Sequence, residues 1–286
     1  MTAKSLRFGL LCLALTTYSV LAAPDRVTND NKVTVAVASN FLSTMKQLVK
    51  TYESDTGRVV RLSGGSTGKH YAQIMQGAPF DLFFAADEVR PALLEAKDIG
   101  VIGSRFTYAE GLLVVWSPEI SNVNESNVAS LGKNGLKALL DNQRIKTLAM
   151  ANPKLAPYGK AAQDVINILL PVGLTSKDGP KLRVIRGENI SQTLQFVMSG
   201  TADVAFLAHS QVLDQRLVKA QKERYKMVFE HYRLISEALY QPIKQQVIML
   251  NDKELTQLFV NFIKGPVATS IIKSNGYKVV GSADAR

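Results

Sequence analysis

The chain has 286 residues, of which 46% are hydrophobic and 20% charged, with a formal net charge of +10. A chain of this length can bury a sizeable core, and its single cysteine, Cys12, excludes an intramolecular disulfide. The basic residues are scattered, and no zinc-finger, RNA-binding or heptad pattern accompanies them. We therefore expect no nucleic-acid partner.

The first residues have the pattern of a secretory signal peptide. Lys4 and Arg7 precede an apolar run at residues 8–15, and small residues close the segment at Ala22. This run is shorter than the roughly 20 residues that a membrane-spanning helix needs. We predict that residues 1–22 are cleaved and that the mature chain, with a net charge of +8, is located in the periplasm.

Short apolar runs alternate with helical patterns along the mature chain. The predicted strands are residues 33–37, 59–62, 82–85, 112–116, 147–150, 182–184, 203–207 and 246–250. The predicted helices run from Phe41 to about Asp55, begin near Lys69 and near Asp87, and cover 155–170, 190–198 and 252–263. Repetition of strand, tight turn and helix indicates α/β architecture with mostly parallel sheets.

The pattern restarts near residue 112, which predicts two lobes. We find no low-complexity stretch and no long linker, so strands are expected to join the lobes. Ligands of open α/β sheets bind beyond the carboxyl ends of the strands. A cleft between the lobes is therefore the expected binding site.

Four turns share one design, in which a strand ends and small or polar residues lead into a helix. They are residues 38–40, 65–68, 156–159 and 187–190. The first turn of a helix leaves N–H groups unpaired, and the aligned peptide dipoles add a partial positive charge there. Each turn alone is better explained as an ordinary helix cap, because Ser, Thr and Asn are the usual caps. Together they predict an anion-binding site.

Features of an enzyme are scarce. The loop from Ser63 to Lys69 differs from a nucleotide-binding phosphate loop at Ser63 and at His70, where that motif requires glycine and a hydroxyl. The histidines His70, His209 and His231 lack metal-ligand spacing, so surface or capping roles are expected for them. We predict a protein that is not an enzyme and has no cofactor. The alternative, an enzyme for a phosphorylated small molecule, would depend on His70 or Asp87.

Motifs along nearly the whole mature chain resemble the periplasmic molybdate-binding proteins of ABC transporters, the ModA family. The matching stretches are 35–41, 65–74, 77–83, 85–87, 152–159, 187–190, 240–243 and 262–266. The resemblance implies the two-lobed type II periplasmic binding protein fold, with a mixed, mostly parallel sheet in each lobe and the ligand between them. Lobe 1 is expected to contain residues 23–108 and 241–286, and lobe 2 residues 109–240.

The resemblance also implies a site made only of neutral donors. Ser39 and Thr67 would supply hydroxyl and backbone N–H groups, Asn40 a further donor, and Tyr158 and Ile190 backbone N–H groups. Some members add a tyrosine where this chain has Ala208, so Asn40 is expected to matter more here.

The implied ligand is molybdate, with tungstate an open choice, and the implied partners are a membrane permease and an ATPase. We expect the protein to be a monomer. There are two alternatives: the protein binds another oxyanion such as sulfate, or it is an anion-sensing module.

Overall fold

A computed structural model describes residues 32–120, 130–170, 182–214, 228 and 230–279. The predicted signal peptide, residues 1–22, lies outside the described residues.

Helices and strands alternate in the first part of the chain. They are β1 (Lys32–Ala38), α1 (Leu42–Thr56), β2 (Val59–Gly65), α2 (Thr67–Met75), β3 (Leu82–Phe84), α3 (Val89–Glu95), β4 (Phe106–Gly111), β5 (Leu113–Trp116), α4 (Lys133–Leu140) and β6 (Thr147–Ala151). The remaining elements are α5 (Pro157–Leu169), β7 (Arg183–Gly187), α6 (Ile190–Met198), β8 (Val204–Ala208), α7 (His209–Val212), β9 (Tyr232–Leu234), a 3-10 turn (Glu237–Leu239), β10 (Ile243–Met249), α8 (Glu254–Lys264) and α9 (Pro266–Ser274).

The strands form two five-stranded sheets, one in each lobe. The order is β2-β1-β3-β10-β4 in the first sheet and β7-β6-β8-β5-β9 in the second. In the first sheet β10 runs antiparallel to both of its neighbours, and in the second sheet β5 does. The other four strands of each sheet run in one direction. The predicted fold class, mixed and mostly parallel sheets flanked by helices, is confirmed.

Helices cover both faces of each sheet, which explains why β3, β5, β6 and β8 are entirely buried. In the first lobe α1, α8 and α9 pack on one face through side chains such as Phe41, Leu48 and Phe259, and α2 and α3 cover the other. In the second lobe α4 and α5 pack on one face and α6 on the other. Two separately packed cores result.

The chain crosses between the sheets twice. Only Leu112 separates β4 of the first sheet from β5 of the second, and residues 235–242 lead back to β10. β4 extends past the predicted boundary at residue 108, because Ala109 pairs with Gln245 and Gly111 with Ile243 in the first sheet. The lobe ranges otherwise stay predictions.

No single helix among the described residues has the length and hydropathy of a membrane span. Helices α8 and α9 are bent by 60° relative to each other. Only when they are taken together do their length and composition match those of a membrane span.

Candidate functional site

A small cavity lies between the two lobes, where strands of both sheets end. Its volume is about 10 Å³, far less than that of the clefts that hold drug-sized ligands. All five residues predicted from the sequence line this cavity. The complete lining is Ala38, Ser39, Asn40, Gly65, Ser66, Thr67, Ala86, Ala156, Pro157, Tyr158, Asn189 and Ile190.

Ser39 and Asn40 follow β1, and several of their polar groups are engaged within the protein. The Ser39 backbone N–H donates to the Gly65 carbonyl at 2.8 Å. The Asn40 amide nitrogen donates to Gln245 Oε1 at 2.9 Å and to the Tyr277 hydroxyl at 3.2 Å. The expectation that the Ser39 backbone N–H binds the ligand is therefore wrong, because the Gly65 carbonyl already accepts from it. The Ser39 hydroxyl and the Asn40 backbone N–H remain as donors.

Helix α2 begins at the cavity because Ser66 caps it, with its hydroxyl accepting from the Lys69 N–H at 3.3 Å. Thr67 is the first residue of the helix, so its own N–H has no partner in the helix. The Thr67 hydroxyl oxygen accepts from the Ala86 N–H at 3.1 Å. Since this bond uses an oxygen lone pair, the hydroxyl proton remains available to a ligand.

The second lobe contributes two helix N-termini. Helix α5 begins at Pro157, has no side-chain cap, and presents the Tyr158 N–H. In α6 the Asn189 side chain accepts from the N–H groups of Ser191 and Gln192 at 3.0 and 3.1 Å, which leaves the Ile190 N–H uncapped.

The backbone N–H groups of Asn40, Thr67, Tyr158 and Ile190 have no acceptor among the described residues. All four residues are buried. Buried N–H groups without acceptors are rare in native proteins and call for an explanation.

The lining contains no charged side chain. Charged groups instead sit around the cavity, where Lys69 Nζ pairs with Glu188 at 2.6 Å across the two lobes. Arg90 pairs with Asp87, which directly follows the lining residue Ala86 in the chain. The partial positive charge of three helix N-termini therefore faces the cavity without a carboxylate nearby in the lining. This arrangement suits a small anion that accepts hydrogen bonds and donates none.

A buried polar network lies behind the cavity, and sequence reasoning missed it. Gln245, fully buried at a β-bulge in β10, accepts from Asn40 and from the Tyr108 hydroxyl at 3.1 Å. Its amide donates to the Tyr158 hydroxyl at 3.4 Å, and the Tyr277 hydroxyl donates to the Asn40 carbonyl at 2.8 Å. The available signal was a glutamine, Gln245, inside an apolar strand. The strand was predicted to begin at Gln246, one residue after it, whereas β10 begins at Ile243.

The tyrosines of this network are neutral. Burial raises the pKa of Tyr108, Tyr158 and Tyr277 well above the ordinary value. It also raises to about 12 the pKa of Tyr240, which lies outside this network and accepts from the Leu113 N–H. Their hydroxyls therefore act as hydrogen-bonding groups and add no negative charge near the cavity.

The other sequence candidates have structural roles. His70 is buried rather than at the surface as expected, packed against Phe80 and Phe83 with Nδ1 at 3.1 Å from Gln73 Oε1. Its aromatic surroundings explain the burial, which lowers its pKa.

Asp87 accepts from the Arg90 N–H at 3.0 Å. Ala208 is buried at the end of β8. No cluster of possible metal ligands occurs in the described part of the chain.

Comparisons with known proteins agree with this geometry. Residues 33–278 match the family model of bacterial extracellular solute-binding proteins. The molybdate-binding protein ModA of Azotobacter vinelandii is 39% identical over 250 residues, which cover 86% of this chain and 89% of that protein. ModA of Rhodobacter capsulatus is 33% identical over 96% of this chain and 97% of its own length. The chain belongs to the ModA family of bacterial extracellular solute-binding proteins.

Solved structures place this ModA family member in the same fold. The periplasmic molybdate-binding protein of Azotobacter vinelandii superposes with a TM-score of 0.72 at 33% identity, covering 87% of this chain and all of that one. The sulfate-binding protein SubI of Mycobacterium tuberculosis has a TM-score of 0.62 at 14% identity and covers 88% of each chain, which shows the fold alone. The family predicted from the sequence is confirmed.

Proposed function

We propose that this ModA family member binds molybdate outside the cytoplasm and delivers it to an ABC transporter. The observation that carries the proposal is the convergence of buried, unpaired N–H groups from both lobes on a cavity without charged side chains. The relatives at 39% and 33% identity are named molybdate-binding proteins, and they are binding proteins rather than enzymes.

The chemistry of the lining supports a fully deprotonated tetrahedral dianion. Such an anion only accepts hydrogen bonds, so donors alone can satisfy it. A protonated phosphate would bring a hydroxyl that needs an acceptor, and an unpaired buried polar group is costly. Sulfate has the same charge as molybdate but shorter bonds, so it must be discriminated by the size of the cavity. Tungstate remains a second candidate ligand.

Contacts between the lobes support a mechanism of hinged closure. The Gly68 N–H donates to the Leu155 carbonyl at 2.9 Å, and the Ser191 hydroxyl donates to the Ser39 carbonyl at 3.4 Å. Lobe closure around a ligand is one of the recurring motions of two-domain binding proteins. The closed form, in which both lobes contact the anion, is the form that we propose the transporter recognises.

Calorimetric titration of the protein without its leader tests the proposal. We expect tight binding of molybdate, binding of tungstate, and much weaker binding of sulfate and phosphate. At a hundred times the dissociation constant, the ligand should stabilise the folded protein by about 2.7 kcal/mol, which a thermal melt detects. Absence of both heat and a melting shift with molybdate and tungstate would overturn the proposal.

A further inference from the structure

Gly68 lies at a close backbone contact between the two lobes. It is the second residue of α2, and its N–H donates to the Leu155 carbonyl of the other lobe at 2.9 Å. Its chain neighbour Thr67 lines the cavity, and so does Ala156, the neighbour of Leu155. The separation of these two backbones is therefore coupled to the width of the cavity.

A side chain at position 68 would meet the other lobe. A Cβ atom there would lie 3.1 Å from Leu155 Cα, 3.1 Å from the Leu155 carbonyl oxygen and 3.3 Å from Arg90 Nη2. These distances are shorter than ordinary van der Waals contacts. Gly68 is helical and is not among the residues with positive φ, so its own backbone conformation does not require glycine. Close approach of the second lobe explains the residue.

Both sides of this contact are held firmly. Leu155 belongs to a turn in which the N–H groups of Leu155 and Ala156 donate to the Asn152 carbonyl at 3.0 and 2.9 Å, and the Asn152 N–H donates to Gly187 at 2.7 Å. On the other side the Thr67 hydroxyl anchors the start of α2 to Ala86. An added methyl group therefore pushes backbone against backbone and separates the two segments by a few tenths of an ångström.

We propose that the Gly68–Leu155 contact is the stop that ends lobe closure and sets the width of the oxyanion cavity. The inference rests on the proposed function and identifies Gly68 as a residue that determines specificity. Molybdate and sulfate carry the same charge, so discrimination between them depends on how closely the donors of the two lobes approach. The stop fixes the distance from Thr67 on one side to the N-terminus of α5 on the other.

Gly68→Ala tests the stop, with Gly132→Ala as the matched control. Gly132 precedes α4 with a φ of −80°, and a Cβ there meets nothing within 4 Å. In Gly68→Ala the donors of one lobe are held away from the ligand. We expect its dissociation constant for molybdate to rise about tenfold or more, equivalent to the loss of one good hydrogen bond, and its binding of sulfate, the smaller anion, to weaken at least as much. Gly132→Ala should match the wild type.

Crystal structures of the molybdate-saturated proteins supply a second measurement that affinity alone cannot replace. The distance between the Cα atoms of residue 68 and Leu155 should be greater in Gly68→Ala than in the wild type, whereas the melting temperatures of the two ligand-free proteins should agree. Gly68→Ser should show a larger effect in both measurements. Wild-type affinity together with a wild-type distance between residue 68 and Leu155 in Gly68→Ala would overturn the stop and leave the proposed function intact. A wild type that binds no oxyanion would instead contradict the proposed function.

Discussion

The Thr67 hydroxyl can serve two purposes, because its oxygen accepts from the Ala86 N–H and its proton is left to donate to a ligand in the cavity that Thr67 lines. Thr67→Val removes both interactions at nearly constant shape. We expect molybdate affinity to fall about tenfold or more and the free energy of unfolding to fall by about 1–3 kcal/mol, since the Ala86 N–H loses its acceptor. Thr67→Ser should restore both quantities. Titration calorimetry and denaturant unfolding measure them, and unchanged affinity in Thr67→Val would exclude the hydroxyl as a ligand.

Asn189 allows charge and helix capping to be separated. Its side chain caps α6 by accepting from Ser191 and Gln192, and it also lines the cavity. Asn189→Asp preserves the cap but places a carboxylate in the cavity wall. Two unit charges 4 Å apart near a protein surface interact by about 4 kcal/mol, so we expect molybdate affinity to fall at least about a hundredfold.

Asn189→Ser keeps a neutral cap and serves as the control. It should bind molybdate nearly as well as the wild type, and the ligand-free melting temperatures of both variants should stay close to the wild-type value. Tight molybdate binding by Asn189→Asp would contradict a site built only of neutral donors.

The positions of the site residues could be predicted from the sequence, but the state of their individual atoms could not. Ser39, Thr67, Tyr158 and Ile190 each follow a strand at a helix-starting turn, which is a local pattern. The engagement of the Asn40 amide depends on Gln245, which is 205 residues away in the chain. Tertiary packing alone brings such partners together, so a local pattern carries no record of them.

Strand β10 links the two lobes through the fully buried Gln245 side chain. Gln245→Leu removes the acceptor shared by the Asn40 amide and the Tyr108 hydroxyl. An unsatisfied buried polar group costs about 1–3 kcal/mol, and we expect a loss of this size in the free energy of unfolding measured with denaturant. The exposed neighbour Lys244, changed to alanine, is the control. Equal stability of Gln245→Leu and the wild type would contradict a structural role for the network.

Elements with strong local patterns could be predicted, whereas those defined by long-range pairing could not. The predicted helices at 155–170 and 190–198 correspond to α5 and α6, because their apolar residues recur at helical spacing. β4 was missed, since its sequence FTYAEG has few aliphatic residues and its pairing with β10 joins distant parts of the chain. β9 has only three residues, which is too short for a recognisable alternation.

At the scale of the whole molecule, the buried His70 and the partly buried His209 make stability depend on pH. Burial lowers the pKa of His70 and His209 below the ordinary value of 6.5, so the unfolded chain takes up protons that the folded protein resists. The contribution of these two histidines to the free energy of unfolding is therefore fully present above pH 6.5 and is lost as the pH falls below it. We expect a lower melting temperature at pH 5.5 than at pH 7.5, and a smaller difference in His209→Gln. A melting temperature that rises on acidification would contradict this assignment.

The two-lobed architecture follows from the repeated strand, turn and helix pattern, and the binding cavity follows from the architecture. Parallel strands place their carboxyl ends at one edge of each sheet, and the two edges face each other here. The pattern does not distinguish the antiparallel strands β5 and β10 from the others. The two crossings between the lobes lie next to each other, because Gly111 pairs with Ile243 and the Leu113 N–H donates to the Tyr240 hydroxyl. Anion binding by helix N-termini from both lobes is thus the central claim.

Crystals grown with molybdate and measured at the molybdenum absorption edge test that claim most directly. A single anomalous peak is expected in the cavity, with ligand oxygens at hydrogen-bonding distance from the Thr67 hydroxyl and from the N–H groups of Tyr158 and Ile190. The contradicting result is a molybdenum peak outside the cavity, or one bound by the basic side chains at its rim, Lys69 and Arg90.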